Sequence, residues 1–162
     1  MKRINFTVTE IFMILLIIGV VSAVIWPARG NPGVAKASMC ISNSKSIAAG
    51  LSVYAADFDH HYPPASNWVV ATDSYIKGRE IYRCPASDSQ FSYAMNEGVG
   101  AANIAQEKSP EYTVATFEST KGVINAHDKL HSFPRPGRHG EKSTVSYLDG
   151  HAKSVLTLAQ KP

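Results

Sequence analysis

Cysteine is scarce in this chain, with two among 162 residues. That excludes a disulfide-dense scaffold and a four-cysteine zinc module. Charge is scarce too: charged residues make up 18% and the net charge is +3. Lys2-Arg3 is the only adjacent Lys/Arg pair, so no basic run argues for a nucleic-acid partner. The histidines form neither H-E-x-x-H nor H-x-H, the spacings that would place two zinc ligands on one helix or strand. The length allows one ordinary domain plus a short extra element and excludes two full domains. A hydrophobic share of 44% excludes a disordered chain.

The apolar residues crowd the N-terminal end. Ile11 to Trp26 reads IFMILLIIGVVSAVIW, interrupted only by Gly19 and Ser22. With Phe6 to Glu10 added, the stretch has about 21 residues and spans roughly 31 Å as a helix, which matches a bilayer core of about 30 Å. Lys2 and Arg3 precede it, so the positive-inside rule puts the N-terminus in the cytoplasm and the rest outside. Three readings compete: a secretory signal peptide cut after Ala23, a plain anchor, and a pilin-type helix that leaves the membrane for a filament. Glu10 separates them. A carboxylate in a charge-free apolar helix costs roughly 2.5–3.5 kcal/mol at mid-bilayer. It makes sense if a cation from a neighbouring subunit is waiting for it.

Asn5-Phe6-Thr7-Val8-Thr9-Glu10 before this run resembles the cleavage and methylation segment of type IV pilins and type II secretion pseudopilins. The resemblance implies that a prepilin peptidase cuts between Asn5 and Phe6, where the family has Gly in place of Asn5. It implies that Phe6 becomes the methylated terminus and that Glu10 is the assembly carboxylate. It also implies a helix broken at Pro27 that can unwind between Gly19 and Pro27 inside filaments. The expected organisation is a leader over residues 1–5, a transmembrane and filament-core helix over 6–28, and a globular domain over 34–162.

Beyond the breaker cluster Gly30-Asn31-Pro32-Gly33 the pattern is helical from Val34 to Phe58. Ile41, Ala48, Leu51, Ala55 and Phe58 recur at three- and four-residue steps, widened by Ile47 and Tyr54, a stripe suited to lying on a sheet. Asp57, Asp59, His60 and His61 suggest a metal, but adjacent histidines cannot face one ion from a helix; a polar helix end before Pro63-Pro64 is the plainer reading.

Trp68 to Val70, Ile81 to Pro85 and Phe91 to Asn96 read as short buried or extended pieces among loops. Tyr112–Phe117, Gly122–Ala126, Ser143–Leu148 and His151–Leu158 read as strands. Asp149-Gly150 reads as a two-residue hairpin turn with both residues at positive φ. The fold class is α+β: a long N-terminal helix, hydrophobic in its first half, packed on a small antiparallel sheet. In an extracytoplasmic domain Cys40 and Cys84 are expected to form a disulfide, with two buried free thiols as the alternative. His127, His131, His139 and His151 cluster in sequence with Asp128 and Asp149. A zinc hydrolase built on them is one reading; packing of Arg138-His139 near the Asp149 turn is the other.

The second half also resembles pseudopilin-like proteins, in particular those with a His, nine residues, then Asp-Gly, as in His139 and Asp149-Gly150. Cys40-Ile41-Ser42-Asn43, Tyr54-Ala55-Ala56-Asp57 to Pro63, Cys84-Pro85 and Ser92-Tyr93-Ala94-Met95-Asn96 follow the family order. The resemblance implies a non-enzymatic filament subunit of a type IV pilus or a type II secretion pseudopilus. Such a subunit sits in the inner membrane before assembly and in a periplasmic or extracellular filament afterwards. Its partners are the prepilin peptidase, the assembly platform and further copies of itself. No cofactor is expected; calcium is the one candidate, at Asp149 with Asp128 or Glu118. An alternative is a minor pilin that binds a surface, glycan or DNA through aromatics such as Trp68 and Tyr75. A second is an anchored metal-dependent enzyme.

Overall fold

The structure, a computed structural model, describes residues 7–25 and 30–156. Asn5, Phe6 and Pro27 therefore lie outside the described residues. The chain divides into two units, Met1–Pro32 and Gly33–Pro162.

The first unit holds helix α1, Val8–Ile25. By length and composition α1 can cross a membrane. None of its residues is buried; Phe12, Leu15 and Val24 are 66%, 62% and 68% exposed. A helix that is apolar all round needs lipid or other apolar helices about it. In the single chain α1 runs through Gly19 without a break; the unwinding implied between Gly19 and Pro27 concerns the filament. A lone glycine costs a helix only about 1 kcal/mol against alanine, and the apolar residues on both sides sustain it.

Helix α2 covers Pro32–Asp57, all but its first residue in the second unit. It starts two residues before the expected Val34, because proline is tolerated at the first helical position, where its missing N–H would go unpaired. The buried residues are Cys40, Ser44, Ile47, Ala48, Gly50, Leu51 and Ala55. Phe58, expected on the apolar stripe, is instead 48% exposed and stacks on Tyr54 with ring centroids 4.2 Å apart. The helix has already ended: Asp59 and His60 have φ of 49° and 63°, and His60 N–H donates to Ala55 O at 2.7 Å. This six-to-one bond is the Schellman way of closing a helix.

A short helix α3, Trp68–Ala71, precedes the sheet. The strands are β1 Tyr93–Asn96, β2 Val114–Glu118, β3 His127–Asp128, β4 Lys142–Tyr147 and β5 Ala152–Leu156. They form one sheet in the order β3-β1-β2-β4-β5. The class is α+β, as expected. The sheet is mixed, however, because β3 pairs with β1 in parallel.

Residues 122–126, expected as a strand, form turns instead. Gly122 and Asn125 have φ of 70° and 55°, and Asn125 Oδ1 accepts the Val69 N–H of α3 at 2.8 Å. Trp68 Nε1 donates to Ala126 O at 2.9 Å. The segment is given over to holding α3, and pairing with β1 begins at His127.

Both sheet faces are covered. Ile47, Leu51 and Ala55 of α2 pack with Trp68, Tyr82, Tyr93, Met95 and Ala115. Ala94, Phe117, Phe133, Val145 and Tyr147 form a second cluster, with alternation along β1 dividing the two. Gly50 lets α2 approach Ile76, since a Cβ there would overlap the Ile76 side chain. Gly50→Ala is therefore expected to lower stability by about 1–3 kcal/mol through overpacking, despite its better helix propensity. Chemical denaturation of the full chain in detergent would check this.

Candidate functional site

Two places gather the residues singled out in the sequence. The first is the start of α1. Thr7 N–H and Thr7 Oγ1–H donate to Glu10 Oε2 at 2.8 and 2.7 Å. Glu10 N–H points back at Thr7 Oγ1 at 3.3 Å. This is a capping box, Thr-x-x-Glu, in which two otherwise orphaned helix N–H groups are satisfied reciprocally. Glu10 thus has a local role within one chain that the apolar pattern alone did not suggest.

The second place lies where α2 meets the sheet. Cys40 and Cys84 form a disulfide with Cα atoms 5.4 Å apart, and both residues are fully buried. It ties α2 to the segment that follows the turn at Arg79–Tyr82. His139 Nε2 lies 3.5 Å from Cys84 Sγ and 3.1 Å from Glu118 Oε1. Glu118 is wholly buried at the end of β2 and the His139 side chain is 4% exposed. Glu118 Oε2 accepts the Thr144 N–H at 3.0 Å.

Next to them, Arg138 Nη1 donates to Ser92 O at 2.9 Å and Nη2 to Ser119 O. This guanidinium clamps the backbone just before β1 and just after β2. Burial lowers its pKa, and the nearby Glu118 charge opposes that. Burial, followed by the Glu118 charge, pushes the Tyr93 phenol above its usual range; its hydroxyl donates to Cys40 O at 3.2 Å.

The nine-residue spacing now has a physical reading. His139 and Lys142 pair across a tight turn, with His139 N–H donating to Lys142 O at 2.9 Å and Gly140 at φ 73°. Gly137 passes so close to the Lys142 backbone that a Cβ would have no room. β4 follows, then the turn to β5. His139 and Asp149 therefore stand at opposite ends of β4, about 20 Å apart for a six-residue strand.

The expected packing of Arg138-His139 on the Asp149 turn is not found: Arg138 goes to Ser92 and Ser119, and His139 to Glu118. The turn also differs from the two-residue form. Only Gly150 has positive φ, at 89°, and Leu148–Gly150 form a three-residue loop between Tyr147 and His151, with Gly150 N–H donating to Tyr147 O at 3.0 Å. A type I turn followed by a left-handed glycine suits a hairpin as well as the two-residue turn does.

Asp149 Oδ1 accepts the His151 N–H at 3.0 Å and lies 2.6 Å from His151 Nδ1. Burial pulls the Asp149 carboxyl upward, but these His151 contacts outweigh it and hold the group below its ordinary range. Asp128 pairs with Lys121 at 3.2 Å. The three acids named for calcium, Asp149, Asp128 and Glu118, thus face three different partners.

The tail histidines are not brought together either: His127 Nδ1 sits 2.9 Å from Asn125 O, and His151 serves Asp149. Trp68, proposed as an exposed binding aromatic, is fully buried, and the Tyr75 hydroxyl donates to Asp57 at 2.9 Å. Cavities of about 370 and 120 Å³ open at Arg79, Glu80, Arg83, Gln90 and Phe91 and at Val69, Val70, Asp73, Arg79 and Ile124. Neither is lined by Cys84, Glu118 or His139.

Sequence reasoning missed the Glu118–His139 pair because its members are 21 residues apart. The available signal was an acid closing a β-branched run, Val114 to Glu118. No family model matches the chain, and no curated protein or solved structure matches it.

Two predictions arise here. Replacing both Cys40 and Cys84 with serine removes a cross-link spanning 44 residues and should cost about 4 kcal/mol by the chain-entropy estimate, read by denaturant unfolding. For Asp149 the folded pKa is depressed, so its contribution is present above the unfolded value of about 3.9 and is lost as pH falls through the folded value. Asp149→Asn should be less stable than the parent at pH 7, and the gap should shrink below about pH 4. Thermal melts across pH would show it.

Proposed function

We propose that this chain is a structural subunit of a type IV pilus-like or type II secretion pseudopilus-like filament, inserted in the inner membrane and polymerised through α1. The observation that carries the reading is a single carboxylate, Glu10, at the head of a helix that is exposed and apolar on every side. Two further features support it. The second unit sets α2 across a small sheet, and the ordered motifs from Cys40 to Gly150 fall at the helix, the disulfide, the first strand and the β4–β5 turn.

The mechanism is an exchange of partners. In the membrane, Thr7 satisfies one Glu10 oxygen, Oε2, through the capping box. On assembly, the apolar flanks of α1 trade lipid for other copies of α1. The Phe6 amine of an adjacent copy, freed by cleavage after Asn5 and methylated, takes up the Glu10 charge. Away from water that pairing is worth far more than at a surface. The subunit is passed to an assembly platform and acts without enzymatic chemistry. A minor-pilin role through exposed aromatics loses one of its two anchors, since Trp68 is buried.

The capping box makes the test sharper. Glutamine serves in a capping box as well as glutamate does, but it carries no charge. Glu10→Gln and Glu10→Val should both insert in the membrane and both reduce filament yield at least about tenfold, a loss of about 1.4 kcal/mol or more per contact. Filament yield from sheared cells, with membrane fractions as the control, is the measurement. Normal yield from Glu10→Gln would mean that the carboxylate is only a helix cap, and the assembly role would fall.

A further inference from the structure

The four side chains at the junction of α2 and the sheet make up a donor set that the filament reading does not use. Cys40 Sγ, Cys84 Sγ, His139 Nε2 and a Glu118 carboxylate oxygen all lie within 4.8 Å of one another. We propose that, when the Cys40–Cys84 bond is reduced, these four residues bind one zinc ion, so that a metal and a disulfide are alternative staples for the same joint. This inference concerns the second unit alone and does not rest on the filament reading.

The geometry is close to what zinc requires. With Zn–S near 2.3 Å and Zn–N or Zn–O near 2.0–2.1 Å, ligand atoms around a tetrahedral ion stand about 3.3–3.8 Å apart. His139 Nε2 is already 3.5 Å from Cys84 Sγ and 3.1 Å from Glu118 Oε1. Two changes are needed: the sulfur atoms separate once they are no longer bonded, and the wider pairs of the set, within 4.8 Å, draw together. Cα atoms 5.4 Å apart leave the first to side-chain rotation.

The donors come from α2, the segment after Tyr82, the end of β2 and the turn before β4, so a bound ion would hold the same elements as the disulfide. Two sulfurs, an imidazole and a carboxylate suit a borderline-soft ion that accepts tetrahedral geometry.

The surroundings also fit. The Thr144 N–H holds Glu118 Oε2 at 3.0 Å, leaving Oε1 to face the centre. Such outer hydrogen bonds orient metal ligands and sharpen affinity. Two thiolates, a carboxylate and Zn²⁺ sum to one negative charge, and the Arg138 guanidinium beside Glu118 offsets it. Cys40, Cys84 and Glu118 are fully buried, so water would compete little for the ion.

The chemistry balances. A phosphine reductant donates two electrons to the disulfide and takes oxygen from water, giving a phosphine oxide and two thiols. Zinc then displaces both thiol protons to solvent and takes the lone pair of His139 Nε2.

The test uses the full chain in detergent, reduced with a phosphine, stripped of metal and titrated with Co²⁺ without oxygen. Reduced protein should bind one equivalent, with thiolate-to-cobalt charge-transfer absorption and visible bands of tetrahedral intensity, and Zn²⁺ should displace it. Oxidised protein and Cys40→Ser/Cys84→Ser should show neither band. His139→Ala and Glu118→Gln should each weaken binding at least about tenfold, since even outer-shell losses cost 10–100-fold. If those variants fail to fold, X-ray absorption of the zinc-loaded parent decides, with two sulfur and two nitrogen or oxygen neighbours expected. Absence of stoichiometric Co²⁺ binding by the reduced parent would overturn the proposal. So would unchanged binding in both folded variants, or a zinc shell with only one sulfur.

Discussion

A carboxylate buried in a sheet face must be satisfied on every side, and Glu118 sets that constraint for the second unit. Leaving a charged group buried without partners costs several kcal/mol. Here the His139 ring, the Thr144 amide and the nearby Arg138 guanidinium answer it. Each comes from the stretch just before or at the start of β4. The carboxylate therefore fixes where the late part of the chain must lie, and Arg138 extends that grip to the ends of β1 and β2. The Cys40–Cys84 link joins the same point to α2. Covalent and hydrogen-bonded ties thus converge on one joint between helix and sheet, and the aromatic core of Trp68, Tyr82 and Tyr93 packs beside it.

The first unit follows the opposite logic. α1 has no buried residue and no charge beyond Glu10, so nothing within it specifies an orientation about its own axis. Its one polar feature sits in the first turn, where Thr7 closes the capping box. Such a helix is stable in lipid by virtue of its backbone bonds. The proposed filament role follows from what remains unspecified: an all-round apolar surface that can exchange lipid for like helices, and a carboxylate whose neutral partner can give way to a charged one.

Much of the fold was legible because it depends on local periodicity. The stripe of α2 read correctly from Ile47 to Ala55, and the strands β2, β4 and β5 were found within a few residues. Phe58 was misplaced because the end of a helix is set by a left-handed turn at Asp59 and His60, residues that carry no strong signal for it. Residues 122–126 look like a strand by composition, yet Asn125 and Ala126 are claimed by α3. That demand comes from a segment more than fifty residues earlier, beyond the reach of pattern. The site was half legible for the same reason. The disulfide followed from the expected compartment, and the nine-residue spacing marked both ends of β4. That His139 answers Glu118 and not Asp149 is a fact of sheet register, and register is set by long-range pairing.

In the proposed filament the working protein starts at a free, charged Phe6 amine that meets Glu10 of a neighbour. The most direct measurement is the mass of the N-terminal peptide from native protein purified out of its own membranes. A filament subunit should give a peptide that starts at N-methylated Phe6. A mature chain starting at Val24, with α1 discarded after Ala23, would contradict the filament reading.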